Sequence, residues 1–248
     1  MLRISFLLML STTPQIACVY ADGERLPSLP DKEGFAAPFA GVSQGKLFVA
    51  GGANFPEKKP WEGGKKKWCD TIYSLDTPTE KWQVVGKLPR PLGYGVSVTH
   101  NNGLVCVGGS DAEKHYAEVF RLEWKANKLE ITPLPPLPKT LANACGALLG
   151  DVLYVAGGQE KPDAKEASKA VYTLDLSVAK PQWREIEALP GVGRILAVAV
   201  AFDEAFWVVS GAELLVKADK VERKYLKDVY SYSPGKGWKR MTDLPHPV

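Results

Sequence analysis

The chain has 248 residues, of which 45% are hydrophobic, and its net charge of +3 comes from 31 basic and 28 acidic residues. This length fits one large all-β domain or two smaller domains, and the hydrophobic content is ordinary for a globular protein. The charge is too small to indicate a protein that binds nucleic acid. The basic run Lys65, Lys66 and Lys67 lies in a glycine-containing segment and is interpreted as part of a solvated loop.

The N-terminus has the pattern of a secretory signal peptide covering residues 1–21. Arg3 supplies a positive charge, and the apolar run from Ile4 to Leu10 is too short to span a membrane, which takes about 20 residues. Small residues precede a cleavage site before Asp22. We therefore expect a secreted or periplasmic protein without a membrane span, and lipid anchoring at Cys18 is the less favoured alternative.

Four successive units, each with four short predicted strands, follow the signal. In the first two units the strands are Phe39 to Val42, Leu47 to Gly51, Thr71 to Leu75 and Lys81 to Val85, then Gly95 to Val98, Leu104 to Gly109, Ala117 to Glu123 and Leu129 to Thr132. In the last two they are Ala144 to Leu149, Val152 to Gly157, Val171 to Leu176 and Gln182 to Ile186, then Ile195 to Phe202, Phe206 to Val209, Val229 to Tyr232 and Trp238 to Met241.

Two connections carry specific expectations. The sequence from His100 to Gly103 predicts a hairpin turn in the second unit, because Asn-Gly adopts positive φ at low cost. The segment from Glu213 to Leu226 in the fourth unit is interpreted as a loop that could form one or two helical turns.

A glycine pair closes the second strand of the first three units, and a Ser-Gly pair closes that of the fourth. The pairs are Gly51-Gly52, Gly108-Gly109 and Gly157-Gly158, with Ser210-Gly211 in the fourth unit. The second glycines, at 52, 109, 158 and 211, are 57, 49 and 53 residues apart. A repeat of about 50 residues with four strands is typical of a propeller blade. Glycine there permits close backbone approach and positive φ, and the Lys-Ser/Thr that a phosphate-binding loop requires does not follow.

Aromatic residues recur at fixed places in the units. Trp82, Trp183 and Trp238 each stand seven residues before the proline of a Leu-Pro pair and are expected to wedge between adjacent blades. The third-strand aromatics, which are interpreted as packing residues, are Tyr73, Phe120, Tyr172 and Tyr230. The second unit departs from the pattern because its fourth strand has no Trp.

The remaining cysteines and the histidines do not indicate a metal site. Cys69, Cys106 and Cys145 are an odd number once Cys18 is removed with the signal, so they cannot all pair within the chain. Cys106 and Cys145 lie in apolar strand patterns and are expected in the core. The three histidines show no metal-ligand spacing, and we expect neither a metal nor another cofactor.

The glycine pair, the third-strand aromatic and the fourth-strand Trp, in this order, resemble kelch repeats. Three strings, at residues 39–42, 47–55 and 94–97, more specifically resemble the cyclically permuted branch of the N-acetylneuraminate epimerase (sialic acid mutarotase) family. The resemblance covers about residues 24–245. It implies an all-β kelch-type propeller that forms the domain of residues 22–248. The blades are expected at about 36–89, 90–138, 139–190 and 191–245.

This resemblance implies six blades in the complete protein, whereas the sequence contains four. We therefore expect the chain to be part of a longer protein, and a closed four-bladed ring is the alternative. Residues 24–30 resemble the end of a blade whose first three strands are absent.

The resemblance also implies an activity, the interconversion of sialic acid anomers by acid–base opening and closing of the sugar ring. The family carries a Glu and an Arg in a Ser-Gly-Glu…Arg string on its last permuted blade, and no such string occurs at the matching place here. The nearest match is Ser210 to Glu213, so Glu213 is the catalytic candidate, with a solvated loop acid as the favoured alternative. The 248-residue chain alone is expected to be inactive.

Three residues are candidate substrate contacts. Arg194 opens the first strand of the fourth unit, where the resembling family also carries Arg, and a structural ion pair is the equally weighted alternative. Asn54 follows a glycine pair and Tyr94 opens a first strand; a loop cap and a channel seal are their structural alternatives. Leu92 stands where some family members have an Arg, so the pocket is not carried over intact.

The expected function is thus an exported mutarotase that acts on a small-molecule sugar acid. A non-catalytic kelch propeller that binds glycan or protein is the alternative. The sequence does not predict the oligomeric state.

Overall fold

The computed structural model describes residues 26–77 and 80–247, so the predicted signal peptide lies outside the described residues. These residues form twenty β-strands and a single 3₁₀ turn at Pro60–Glu62. No helix among them is long and apolar enough to cross a membrane.

Sixteen of the strands form four antiparallel sheets of four strands each, which we call blades 1 to 4. Blade 1 comprises β1 (Phe39–Ser43), β2 (Lys46–Ala50), β5 (Thr71–Leu75) and β6 (Gln83–Lys87). Blade 2 comprises β7 (Val96–His100), β8 (Gly103–Val107), β9 (Val119–Lys125) and β10 (Lys128–Leu134). Blade 3 comprises β11 (Ala142–Leu149), β12 (Val152–Gln159), β13 (Val171–Asp175) and β14 (Trp183–Ile186). Blade 4 comprises β15 (Val198–Phe202), β16 (Ala205–Val209), β19 (Val229–Ser233) and β20 (Gly237–Arg240).

Two small hairpins complete the described strands. They are β3 (Ala53–Asn54) with β4 (Lys67–Trp68), and β17 (Ala212–Lys217) with β18 (Lys220–Tyr225). Each hairpin lies in the connection between the second and third strands of its blade. The first strands β1, β7, β11 and β15 lie next to one another in chain order. The all-β propeller with four four-stranded blades is therefore confirmed.

The core lies between successive blades. Phe39 and Ile72 of blade 1 are buried in one cluster with Leu104 and Leu122 of blade 2, and similar clusters join blade 2 to blade 3 and blade 3 to blade 4. Such stacking buries the sheet faces that one blade could not bury by itself.

The aromatic residues of the repeat pack as predicted. The indole N–H of Trp183 donates to the carbonyl of Pro135 at the end of blade 2 (2.8 Å), and Trp238 donates to Glu187 at the end of blade 3 (3.0 Å). The third-strand aromatics are all buried, namely Tyr73, Phe120, Tyr172 and Tyr230.

Blade 2 replaces the missing fourth-strand Trp with one from its third strand. Trp124 in β9 is paired across the ladder with Leu129 in β10. Its ring lies 6.3 Å from that of Phe48 in blade 1. The blade 1–blade 2 contact therefore also contains an indole, supplied from the adjacent strand.

The glycine pairs hold neighbouring blades at close range. Gly51 has φ of 67° and Gly52 has φ of 91°, and the N–H of Gly52 donates to the carbonyl of Leu92 (2.8 Å). A Cβ on Gly51 would lie 2.1 Å from that same carbonyl oxygen. In blade 4, Ser210 takes the first glycine position with φ of 59°. The predicted role of the pairs in close approach is thus confirmed.

One local prediction was wrong and another was confirmed. The segment from Glu213 to Leu226 is largely the β17–β18 hairpin rather than a loop with helical turns, because Ala218 and Asp219 take positive φ (45° and 62°) and reverse the chain. In blade 2, the hairpin turn predicted from His100 to Gly103 is confirmed, with Asn101 and Asn102 (φ of 43° and 59°) as its central residues. Gly103 lies in β8, where a Cβ would meet the Arg121 side chain at 2.5 Å.

Candidate functional site

One face of the propeller collects the connections that vary most between blades. The glycine pairs, the β3–β4 and β17–β18 hairpins and the blade-to-blade connections all lie at the same ends of the strands. Since loops on a rigid scaffold carry binding and catalytic residues more often than the scaffold itself, this face is the candidate site. We call the place where its loops meet the first strands the channel mouth.

Four left-handed residues form a backbone chain around the channel mouth. Ala37, Tyr94, Asn143 and Leu196 precede or begin the first-strand regions of the four blades and have φ of 48°, 61°, 58° and 57°. The N–H of Tyr94 donates to Ala37, that of Asn143 to Tyr94 and that of Leu196 to Asn143, at 2.9, 2.8 and 2.9 Å. Each blade therefore places one side chain at an equivalent point of the mouth.

Tyr94 meets a cluster from the β3–β4 hairpin. The ammonium of Lys66 lies 2.9 Å from the Tyr94 hydroxyl and 4.6 Å from the centre of its ring. The rings of Trp68 and Phe55 lie 5.3 Å and 5.7 Å from the same ammonium. Three aromatic rings thus surround one cation, an arrangement that stabilises the cation through the ring quadrupoles.

Asn54 fastens the N-terminal segment to blade 1. Its side-chain amide donates to the carboxylate of Asp31 (3.1 Å) and to the carbonyl of Gly34 (3.0 Å). It also borders a cavity of about 250 Å³ that Phe55 and Trp61 help to line. Both amide protons are therefore used within the chain, as in the loop-cap alternative.

Arg194 is buried in an ion pair rather than open to the channel mouth. Its side chain has no exposed surface, and its guanidinium donates to both oxygens of Asp228 at 2.8 and 3.0 Å. A third bond goes to the carbonyl of Ser210 (2.9 Å), and the ring of Tyr230 lies 5.4 Å away. This geometry is that of the structural ion pair, the alternative given above.

The backbone of Arg194 explains this burial. Its carbonyl accepts from Gly158, as the carbonyls of Leu92 and Leu141 accept from Gly52 and Gly109. Arg194 thus stands where the two preceding blades have a buried leucine. A buried guanidinium needs a partner, and Asp228 provides it. Burial raises the pKa of Asp228, but the hydrogen bond and charge of Arg194 outweigh burial, so this pKa lies below its ordinary value.

Glu213 lies in β17 and is paired with Lys224 of β18 at 3.2 Å. Its side chain is 18% exposed and lines a groove of about 500 Å³ between this hairpin and the β12–β13 connection. No hydrogen bond or ion pair links any two of the described residues Glu213, Arg194, Asn54 and Tyr94. The structure therefore does not bring the four sequence candidates into one cluster.

Sequence reasoning overlooked two residues beside Tyr94. Lys66 is exposed, as expected for a solvated lysine run, and its ammonium also contacts the rings of Phe55, Trp68 and Tyr94. Lys66 and Trp68 are two residues apart around a short strand, and this spacing places two side chains on the same face. This period-2 spacing could have indicated that Lys66 and Trp68 share a face, but the strand is too short for the alternation to be recognised in the sequence.

A buried histidine joins blades 2 and 3 near the same face. A ring nitrogen of His115 (Nδ1) lies 2.9 Å from the carbonyl of Gln159, which requires a proton on that nitrogen. Burial lowers the pKa of His115. Within the described ranges, no three His, Cys, Asp or Glu side chains cluster closely enough to hold a metal ion.

Comparison with known proteins supports one family. The N-acetylneuraminate epimerase family model matches residues 22–131 and 134–247. An N-acetylneuraminate epimerase of Salmonella arizonae is 44% identical over 96 residues, which cover 35% of this chain and 24% of that protein. Its counterpart in Yersinia enterocolitica is 38% identical over 110 residues, covering 40% of this chain and 28% of that protein. The matched stretches are thus about a quarter of the length of these relatives.

A solved structure, "Structure of YjhT", has the same fold. It superimposes with a TM-score of 0.76 at 15% sequence identity and covers 92% of this chain and 77% of that chain. At this identity the likeness is one of fold, which agrees with the propeller described above.

Proposed function

Because the chain belongs to the N-acetylneuraminate epimerase family, we propose that the protein interconverts the anomers of N-acetylneuraminic acid. The family match over residues 22–131 and 134–247 carries this proposal. The channel mouth supports it, because loops of several blades converge there on a rigid frame, as is usual for small-molecule sites.

The reaction needs an acid–base pair. One group removes the proton of the anomeric hydroxyl while another protonates the ring oxygen, so that the ring bond breaks and a ketone forms. Rotation about the bond that joins the ketone carbon to the rest of the sugar chain, together with the reverse proton transfers, then closes the ring with the opposite configuration. Glu213 and Arg194 are both held in ion pairs, and the described residues supply no pair that we assign to these transfers.

The four described blades contribute the binding surface in this proposal. Tyr94 contacts the sugar directly at the channel mouth, whereas Asn54 acts through the N-terminal segment that it fastens. Arg194 acts as a positioning residue, because its bonds to Asp228 and Ser210 fix the start of blade 4 next to Leu196. The resembling family carries its Glu and Arg in a Ser-Gly-Glu…Arg string, and the four described blades do not contain this string at the matching place.

Export is part of the proposal. The pattern at residues 1–21 supports a protein that meets its sugar outside the cytoplasm. The substrate is a small sugar acid, and no nucleic-acid partner is proposed.

NMR of freshly released sugar tests the activity. A sialidase liberates one anomer, and the decay of its signal gives the rate of mutarotation. Protein purified from its native host should accelerate this decay above the spontaneous rate, whereas the 248-residue chain alone should bind the sugar without accelerating it. Absence of acceleration by the native protein would reject the mutarotase and favour the non-catalytic binding propeller.

A further inference from the structure

A cleft separates the β3–β4 hairpin of blade 1 from the β8–β9 connection of blade 2. Its volume is about 300 Å³, with Lys66 and Trp68 on one side, Asp111 and Glu113 on the other, and Pro91 between the two blades. This volume is at the lower end of the range of small-molecule sites, about 300–1,000 Å³. Because Lys66 also contacts the Tyr94 hydroxyl, the cleft adjoins the channel mouth.

The cation in this cleft has no carboxylate partner among the described residues. Two other lysines of blade 1, Lys59 and Lys87, are ion-paired with Glu33 and Asp70. The ammonium of Lys66 instead lies among the rings of Phe55, Trp68 and Tyr94. Lys66 is exposed, so a carboxylate arriving in the cleft would meet an ammonium that has no carboxylate partner among the described residues.

The indole in the cleft has an unused donor. The Nε1–H of Trp68 is buried and has no acceptor among the described residues. A buried donor without an acceptor costs free energy. The three Trp residues of the blade repeat, by contrast, each donate to a backbone carbonyl. The unpaired donor therefore distinguishes Trp68 from the Trp residues of the blade repeat.

The opposite wall presents fixed hydrogen-bond acceptors. Asp111 accepts from the backbone N–H groups of Glu113 (2.8 Å) and Lys114 (2.9 Å) and from the hydroxyl of Tyr116. These bonds hold the carboxylate in one orientation. A carboxylate suits the hydroxyl groups of a sugar and repels a second carboxylate, so an acidic sugar would place its acid group towards Lys66 and its hydroxyls towards Asp111.

We infer that this cleft binds a sugar acid and that Lys66, by pairing with the carboxylate, makes the site select an acid over a neutral sugar. Trp68 contributes its ring to the same ligand. The inference rests on the proposed function for the identity of the sugar, but the charge selection itself follows from the cleft.

Calorimetric titration of the 248-residue chain tests the selection. N-acetylneuraminic acid is compared with its methyl ester, which has nearly the same shape and no charge. Wild type should bind the acid about ten-fold more tightly than the ester, as expected for one charged hydrogen bond. Lys66→Gln should remove this preference by weakening only the acid, and Lys66→Arg should restore it. Lys65→Gln removes the neighbouring charge without reaching the cleft and should leave both affinities unchanged.

A third ligand separates the two proposals. If Lys66→Gln retains the preference for the acid, Lys66 does not select the carboxylate, and the proposed mutarotase function is unaffected. If wild type binds galacturonic acid in a Lys66-dependent way but not N-acetylneuraminic acid, the cleft is a sugar-acid site and the proposed function fails. Absence of binding to either acid rejects the inference.

NMR of the lysine side chains distinguishes direct ligand contact by Lys66 from a purely structural role. Ring currents from three aromatic residues should shift the ε-protons of Lys66 away from those of Lys65, and the sugar acid should move the Lys66 signal alone. An unchanged Lys66 signal at a saturating acid concentration would place the ligand elsewhere.

Discussion

The indole N–H of Trp82 donates to the carbonyl of Pro27 at 2.8 Å. The same contact joins Trp183 to Pro135 at the end of blade 2 (2.8 Å). The segment around Pro27 therefore occupies, against blade 1, the position that the end of a preceding blade occupies against blade 3. This agrees with the resemblance of residues 24–30 to the end of a blade, and Asn54 adds a second attachment through Asp31.

Removing one of these indoles should loosen a blade contact. Trp183→Phe keeps most of the ring and loses the bond to Pro135, which should lower the free energy of unfolding by about 1 kcal/mol. Trp183→Ala also loses the half-buried ring and should cost roughly 2 kcal/mol or more. Urea unfolding measures both values. Trp61, which is 81% exposed, provides the control, and Trp61→Ala should leave stability unchanged; equal effects at the two sites would contradict the wedge role.

Breaking the Arg194–Asp228 pair should be costly. Asp228→Asn leaves a buried guanidinium without its counter-charge and should lower the free energy of unfolding by about 3–5 kcal/mol. Asp243→Asn, which removes the partner of the exposed Arg240, should change it by less than about 1 kcal/mol. Thermal unfolding of the two variants makes the comparison. A small loss of stability in Asp228→Asn would mean that the Arg194–Asp228 pair contributes little to the free energy of unfolding.

The same pair sets an acid limit on stability. Because the pKa of Asp228 is lower in the folded chain than its unfolded value of about 3.9, the stabilisation is complete above that value. It is lost progressively as the pH falls below about 4 towards the folded pKa. Wild-type stability should therefore decrease over this acid range. The stability of Asp228→Asn should not show the part of this decrease that comes from Asp228. If the stabilities of the two proteins fall in parallel with pH, the ion pair does not set this acid dependence.

Two glycines with similar φ should respond differently to alanine. Gly45 (φ of 76°) has open space around it, whereas a Cβ on Gly51 (φ of 67°) would lie 2.1 Å from the carbonyl oxygen of Leu92. Gly45→Ala should cost about 1–2 kcal/mol for positive φ alone. Gly51→Ala should cost roughly 1–3 kcal/mol more, because the blades must move apart. Chemical unfolding distinguishes them, and equal losses would show that blade contact is not limiting there.

The thiols should react in order of exposure. Cys106 and Cys145 are buried and Cys69 is partly exposed, and burial raises the pKa of Cys145 to about 12. Iodoacetamide at pH 8 should therefore modify Cys69 in the native protein, more slowly than a free thiol because burial also raises its pKa. Cys106 and Cys145 should react only after unfolding. Mass spectrometry of digested samples locates the label, and native labelling of Cys106 would indicate that blades 1 and 2 open.

The fold was predictable because its determinants are local and repeated. The glycine pairs and third-strand aromatics have the same residue types in successive units, and their spacing gives the blade length directly. The β17–β18 hairpin was missed because its turn, Ala218 and Asp219, lacks the usual Gly or Asn. Trp124 was missed as a wedge because it reaches the same contact from the neighbouring strand.

The candidate site was less predictable because its contacts join distant parts of the chain. Arg194 is ion-paired with Asp228, which is thirty-four residues later in the sequence. Lys66 is hydrogen-bonded to Tyr94, which is twenty-eight residues later. A local sequence pattern reveals neither of these pairings. The residues at the channel mouth also share no side-chain type, so only their common backbone angle identifies them as equivalent.

Because the four residues share this backbone angle, the shape of the channel mouth does not depend on the chemistry of their side chains. Ala37, Tyr94, Asn143 and Leu196 hold one another through main-chain bonds that do not depend on their side chains. Apart from Asn143, these residue types adopt positive φ at a cost of about 1–2 kcal/mol each. A substitution at one of these positions should therefore change the side chain that the channel mouth presents to a ligand, while the spacing of the blades stays the same.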